Sequence, residues 1–392
     1  MNERVFSKDY VLCFLSTFLV YASVYSLVPI LPLYLEAAGK NRSEIGLIIG
    51  TLSAACLVVV PLAGRLSDRV PPKRLMLFGT VLLVLAPVLY LVSTATMTLV
   101  PARFVHGLGL ATYLSAAMVT VTGLVPRSRL AQATGIFAVS ISLGIGLGPS
   151  AGSFLMTFWS FPQEMAFTSV LAAAALMLTL CLGRCPVQPG TERAAFTTVL
   201  RDRNILLPTL VMLTASFTVG VVTAFLPLHV HSWSAHGAGL FFLAYSGTTT
   251  IVRLVAGGLS DRYGRKAVVV PSLVAVGAGI LLLAPVETTK GLVAIAMLYG
   301  AGMSFVYPTL SALVVERTAA GSRGTALGIF AAAAESGFFL GPTLMGCVAQ
   351  YRELHDVFLF SAIIPVVGIL ICTLIPHAPA TGRPVDQKAA AG

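Results

Sequence analysis

Three groups of charged residues sit where an apolar chain tolerates them least. Glu335 lies in a run of small and apolar residues, behind Ala331 to Ala334 and ahead of Gly337. An ionised carboxylate there is costly, so it is protonated, paired, or turned toward a water-filled cavity. That chemistry suits a proton carrier, which holds its proton in one state and releases it in another. It equally suits a counter-charge for a cationic solute, and a plain hydrogen bond to a neighbouring helix is the structural alternative. Arg103 and His106 lie one helical turn apart in another apolar run. Arg keeps its charge, whereas His titrates near neutral pH. The pair can couple a proton to a conformational change; alternatively, Arg103 snorkels to an interface. The third group is a pair of polar turns. Gly64-Arg-Leu-Ser-Asp68-Arg69-Val-Pro-Pro-Lys73 and Gly257-Gly-Leu-Ser-Asp261-Arg262-Tyr-Gly-Arg265-Lys266 agree at six of ten positions. Asp68 and Asp261 can pair with cations or cap a helix N-terminus. Arg253 lies one turn before Gly257, where it can support the same turn.

Long apolar runs must position these groups. Of 392 residues, 57% are hydrophobic and only 10% are charged, against about 25% charged in soluble domains. A bilayer core about 30 Å thick needs roughly 20 apolar residues per helix. The chain then reads as an all-α membrane protein of twelve transmembrane helices. The first six spans are 10–35, 44–64, 75–93, 98–125, 131–158 and 163–183. The last six are 205–230, 238–257, 267–285, 291–315, 324–349 and 356–376. Two six-helix bundles are expected, residues 1–184 and 205–376, with a cytoplasmic linker at 185–204 and a disordered cytoplasmic tail at 377–392. Prolines inside spans, such as Pro149, Pro308 and Pro342, are expected as kinks.

Charge sets the orientation. Of 25 Lys and Arg, 19 fall on the side that holds both termini and four on the other, with Arg103 and Arg253 inside spans. Cytoplasmic loops collect such residues, so both termini are expected in the cytoplasm. The same asymmetry accounts for the net charge of +10, and no basic soluble face suggests nucleic acid. The six cysteines offer no pair in an outer loop. His229, His231 and His236 read as an interfacial cluster rather than a metal site. No Gly-x-x-x-x-Gly-Lys-Ser/Thr loop occurs, and no catalytic constellation is visible. Neither an enzyme nor a cofactor is expected. Tyr21, Tyr25, Tyr113 and Tyr307 are candidates for lining a cavity, with packing as the alternative for each.

The polar turns belong to a longer repeat. Gly107 and Gly109 fall on Gly300 and Gly302 at the same offset of 193, and Gly135-Ile-Phe falls on Gly328-Ile-Phe. Gly148-Pro149 falls on Gly341-Pro342. Leu31-Pro32-Leu33 recurs as Leu226-Pro227-Leu228 at 195. Such a period signals a duplicated architecture, and two six-helix repeats of the same orientation are a transporter arrangement.

On these residues the chain resembles the major facilitator superfamily. The turn motif resembles its loop signature, here degraded in the first copy by Pro71 and Pro72. Arg103-x-x-His106-Gly107-x-Gly109 is similar to its helix 4 motif, with His where Gln is usual. Gly144-x-x-x-Gly148-Pro149-x-x-Gly152 resembles the motif of its antiporter branches, echoed by Gly337, Gly341 and Pro342. Tyr307-Pro308 and Glu335 are similar to bacterial drug and sugar efflux permeases. The resemblance implies a proton-coupled exporter of a small organic solute, working by alternating access as a monomer in a bacterial inner membrane. A proton-linked importer or facilitator of a sugar or organic acid is the first alternative, and a transporter-like sensor a remote one. It also implies a cytoplasmic gate at Asp68, Asp261 and their basic neighbours, and a cavity lined by helices 1, 4, 7 and 10.

Overall fold

Twelve helices among the described residues are long and apolar enough to cross a bilayer, and each overlaps one expected run. The computed structural model describes residues 7–66, 70–126, 129–183, 202–256, 258–319 and 322–376. The first six crossings are built from α1 (Lys8–Ser26), α2 (Leu31–Ala37), α3 (Arg42–Leu66), α4 (Pro72–Val92), α5 (Thr96–Leu124), α6 (Leu130–Leu155) and α7 (Phe161–Leu180). The last six use α8 (Arg203–Val230), α9 (Gly237–Ala256), α10 (Leu259–Tyr263), α11 (Arg265–Leu283), α12 (Thr289–Glu316), α13 (Arg323–Tyr351), α14 (Leu354–Ser361) and α15 (Ile363–Leu374). The pairs α1–α2 and α14–α15 each make one crossing, and α10 is a short helix in the second polar turn. Asp68, Arg69, Gly257, most of the expected linker and the whole expected tail lie outside the described residues.

Local chemistry sets the helix ends. Ser7 Oγ accepts the Tyr10 N–H at 3.2 Å, Asp202 accepts that of Asn204 at 2.9 Å, and Thr288 accepts that of Gly291 at 3.2 Å. These caps satisfy donors that the first turn leaves orphaned. The first crossing is more than kinked. Pro29 has no N–H to donate, the helix stops at Ser26, and Pro32 restarts it in the first turn of α2. Large apolar side chains such as Leu85, Val92, Val255, Leu370 and Leu374 stand on the outside, where lipid tails replace water.

With an even number of crossings, the described chain begins and ends on one side, here termed the terminal side. The opposite side is the far side. Two seams join the first six crossings to the last six: α3 runs along α13, and α6 along α9. At the far end the seams are tight. A Cβ added to Gly46 would lie 2.1 Å from the Pro342 carbonyl oxygen. Ser150 Oγ donates to the Gly239 carbonyl at 3.0 Å across the other seam. Arg42 Nη1 donates to the carbonyls of Ala349 at 3.4 Å and Arg352 at 3.2 Å, which sets a cation on the C-terminal end of α13. At the terminal end the helices stand apart, since a Cβ added to Gly135, Gly324 or Gly328 meets nothing within 4 Å. The molecule is closed on the far side and parted on the terminal side. Replacing Arg42 by Ala removes the cation from that helix end, a loss of about 0.3–1 kcal/mol. Spin labels at Ala38 and Tyr351 are then expected to report a broader far-side distance distribution.

The repeat reappears as duplicated contacts. Cys56 Sγ donates to the Gly107 carbonyl at 3.7 Å, and Thr249 Oγ1 donates to that of Gly300 at 3.3 Å. Lys73 Nζ donates to the Leu180 carbonyl at 2.8 Å, and Lys266 Nζ to that of Thr373 at 3.3 Å. In each case the second bond lies 193 residues after the first.

Candidate transport site

Glu335 lies midway along α13, on the seam with α3. The Ser53 hydroxyl of α3 lies against its carboxylate. Tyr21 and Tyr25 of α1, Cys56 of α3 and Tyr307 of α12 all stand within electrostatic range of it. The Tyr21 and Tyr25 rings stack at 5.7 Å, and Tyr307 meets Phe330 edge-on at 5.3 Å. Tyr245 stands within electrostatic range of Tyr25 and backs onto the buried Tyr299, with ring centroids 5.7 Å apart. No cation forms a salt bridge to Glu335 among the described residues. A carboxylate walled by aromatic faces suits a proton or a cationic, planar solute group.

Arg103 and His106 are turned inward. Arg103 is 3% exposed and His106 is 1% exposed, so Arg103 does not snorkel. A residue that sequence reasoning did not single out joins them. Tyr90 of α4 lies 2.9 Å from His106 Nδ1, and Arg103 Nη1 donates to the same hydroxyl at 3.4 Å. The Tyr90 hydroxyl therefore joins the two side chains through one oxygen. His106 Nε2 and Arg103 Nε have no protein partner among the described residues. Arg103 shares Tyr25 and Cys56 with Glu335 as electrostatic neighbours. Tyr90→Phe would leave Nδ1 and the guanidinium without their shared partner, at about 1–3 kcal/mol. A lower midpoint in thermal unfolding of the detergent-solubilised protein is expected.

Other expected residues are placed differently. Tyr113 is fully buried between α5 and α1, its hydroxyl 2.6 Å from Ser16 Oγ and 3.1 Å from Thr17 Oγ1. It packs one bundle and lines no open space. The motif glycines admit neighbouring helices: a Cβ on Gly144 would lie 2.3 Å from Tyr21 Cβ, and one on Gly341 2.3 Å from the Phe217 carbonyl oxygen. Gly148, Gly152 and Gly337 meet α1 or α8 in the same way, near the in-helix prolines Pro149 and Pro342. The three histidines disperse. His229 bonds the Leu283 carbonyl at 3.1 Å, while His236 bonds that of Ser153 at 3.3 Å. Glu335 is not the only carboxylate inside the helices. Glu164, in the first turn of α7, is 0% exposed. Its position near a span end reads from sequence as an interface, but the fold covers it.

At the terminal side, Arg265 bridges Asp261 at 2.6 Å and Glu316 at 2.5 Å, and donates to Ser260 Oγ at 2.6 Å. Arg262 lies over the Tyr263 ring, its guanidinium carbon 5.5 Å from the centroid. Arg253 Nε donates to the Ser304 carbonyl at 3.4 Å. Arg253, Asp261 and Arg265 border a cleft of about 450 Å³ with Pro308 and Thr309. These bonds stay within α9 to α12 and do not cross a seam. Gly64 lies within α3.

A duplicated twelve-helix scaffold, closed at one side and parted at the other, is that of a membrane transporter. The profile described as Major Facilitator Superfamily matches residues 13–232 and 208–391, and the chain belongs to this superfamily. An uncharacterised MFS-type transporter of Methanocaldococcus jannaschii is 23% identical over 383 residues, covering 93% of this chain and 97% of that one. The quinolone resistance protein NorA of Staphylococcus aureus is 25% identical over 198 residues, 49% of this chain and 48% of NorA. A point mutant of the nucleoside transporter NupG has the same fold, with a TM-score of 0.80 at 17% identity over 94% of this chain and all of that one. The chain is a multi-pass membrane transporter and not an enzyme.

Proposed function

We propose that the protein exports a small organic solute across a cytoplasmic membrane in exchange for protons. The observation that carries this reading is Glu335, a carboxylate on the seam between the halves with no salt bridge among the described residues, within electrostatic range of Tyr21, Tyr25 and Tyr307. Alternating access needs a group whose charge state differs between the two states, and a seam carboxylate meets that need. Residues 1–184 and 205–376 act as the two moving bodies. The terminal side, with 19 of the 25 basic residues, is the cytoplasmic one. Closing it brings the turns around Asp68 and Asp261 into play as a gate. Similarity to NorA over half of each chain supports export. Similarity in fold to a nucleoside transporter keeps import of a polar solute as the second reading. Everted vesicles incubated with a compound panel, with and without a proton gradient, separate them. Gradient-driven uptake into everted vesicles is the expected result. Uptake only in right-side-out vesicles supports import.

A further inference from the structure

Glu164 is a charge-bearing group that the proposed cycle leaves unused. It sits near the far end of α7, fully buried by protein. Neither carboxylate oxygen meets hydrogen-bond geometry with any described residue, and the one polar group close to it is the Ser26 hydroxyl at the end of α1. That hydroxyl has a single proton, and it goes to the Ser23 carbonyl at 2.9 Å. While that bond holds, Ser26 can only accept from Glu164, which suits a protonated carboxyl; an ionised carboxylate would have to draw this proton away from the Ser23 carbonyl. Ser23 and Thr168 are likewise committed: Ser23 Oγ donates to the Thr168 carbonyl at 2.9 Å, and Thr168 Oγ1 donates to the Met165 and Glu164 carbonyls at 2.9 and 3.2 Å. Among the described residues, the Ser26 proton is then the one donor within reach of an ionised carboxylate.

Among the described residues, no cation forms a salt bridge to it. The helices packed against α7 are α1 and α4. On α1 the basic residue is Lys8, at the terminal end, and the far half offers Tyr21 and Tyr25. Lys73 and Arg74 of α4 lie at its terminal end, and its far end offers Tyr90, which is engaged with His106 and Arg103. From α2, Tyr34 stacks on Phe161 at 3.5 Å, and Glu36 is the other titratable group there. An ionised carboxylate buried without a cation costs several kcal/mol.

The site is joined to the far seam. A Cβ on Gly152 of α6 would lie 2.3 Å from the Ser26 carbonyl oxygen, so Ser26 is wedged between Glu164 and α6. The same stretch of α6 carries Ser150 and Ser153, which touch Gly239 and His236 of the other half. On the other flank, the break between α1 and α2 begins at the residue after Ser26. Parting the far seam would uncover the face of α6 that carries Ser150 and Ser153, beside the Ser26–Glu164 pair.

We propose that Glu164 is a second proton-binding site, located in the first half, protonated while the far side is closed and deprotonated when it opens. Its use in transport rests on the proton-coupled reading above; its coupling to the seam does not. The test uses the full chain in lipid nanodiscs, with spin labels at Ala38 and Tyr351 and the native cysteines replaced. Wild-type protein is expected to open its far side as pH rises. Glu164→Gln, which fixes the neutral form, is expected to stay closed at every pH and to lose one protonated-carboxyl band from the infrared spectrum. Glu335→Gln is expected to keep the far-side titration. An infrared band that survives Glu164→Gln, or an unchanged far-side titration in that variant, overturns the proposal. Should Glu164→Gln not fold, Glu164→Asp serves: a displaced band and displaced titration support the site, and unmoved ones overturn it. If the titration follows Glu164 but no solute follows a proton gradient, the site stands and the transport reading falls.

Discussion

Glu335→Gln is expected to abolish gradient-driven accumulation while leaving gradient-free exchange intact. One proton moving through one pH unit releases about 1.4 kcal/mol, enough to hold about a tenfold solute gradient. In everted vesicles with a one-unit gradient, the wild-type protein is expected to reach about that ratio per proton carried. Gln resembles the protonated acid in shape and charge, so the variant can still present a neutral site to both sides. It has no proton to release, so its accumulation ratio is expected to fall to about one. Counterflow of labelled solute with no gradient checks that the variant still cycles. Glu335→Asp keeps the acid one methylene shorter and is expected to retain coupling. A tenfold ratio that persists in Glu335→Gln shows that another group carries the proton. If counterflow of a cationic solute is lost instead, Glu335 binds the solute's charge. Ser53, across the seam from α3, lies against the same carboxylate, so the charge state of Glu335 is read directly by the helix that must move.

The crossings were legible because a bilayer leaves the chain few options. Backbone polar groups in lipid must be satisfied internally, which forces long apolar helices whose limits composition reveals. The duplicated glycines were legible for a similar reason: Gly107 and Gly300 each admit a neighbouring helix so closely that a Cβ would meet a carbonyl oxygen, at 2.2 and 2.8 Å. Side-chain direction was not legible. A crossing helix is apolar all round, so periodicity does not say which face meets protein and which meets lipid. Glu164 shows the consequence. Its place in the first turn of α7 suggests contact with headgroups, yet the packed helices bury it completely. Tyr113 shows the converse: an aromatic on a cavity-lining helix whose hydroxyl is taken by Ser16 and Thr17. Tyr90 was invisible because its role depends on α4 meeting α5 in one register, which places its hydroxyl on His106 and Arg103.

The far seam offers the second large effect. Gly46 faces the Pro342 carbonyl, and a Cβ there would approach its oxygen to 2.1 Å, with the Gly346 Cα at 3.1 Å. Both neighbours are backbone, so no side chain can swing aside. Gly46→Ala is expected to push α3 away from α13 at the far end, at about 1–3 kcal/mol for overpacking. A cost of that size, borne only by the far-closed state, moves the ratio of closed to open molecules about 5- to 150-fold. Spin labels at Ala38 and Tyr351 are expected to show the longer distance becoming dominant. Gly328 supplies the mirror experiment. It lies near the terminal end of the same α13, and an added Cβ meets nothing within 4 Å while that side is open. If α3 closes on α13 there in the other state, Gly328→Leu obstructs that closure and leaves the observed state undisturbed. Gly46→Ala and Gly328→Leu are therefore expected to shift the population in opposite directions, and each to slow transport. A shift in the same direction from both would show that the two ends of the α3–α13 seam do not alternate.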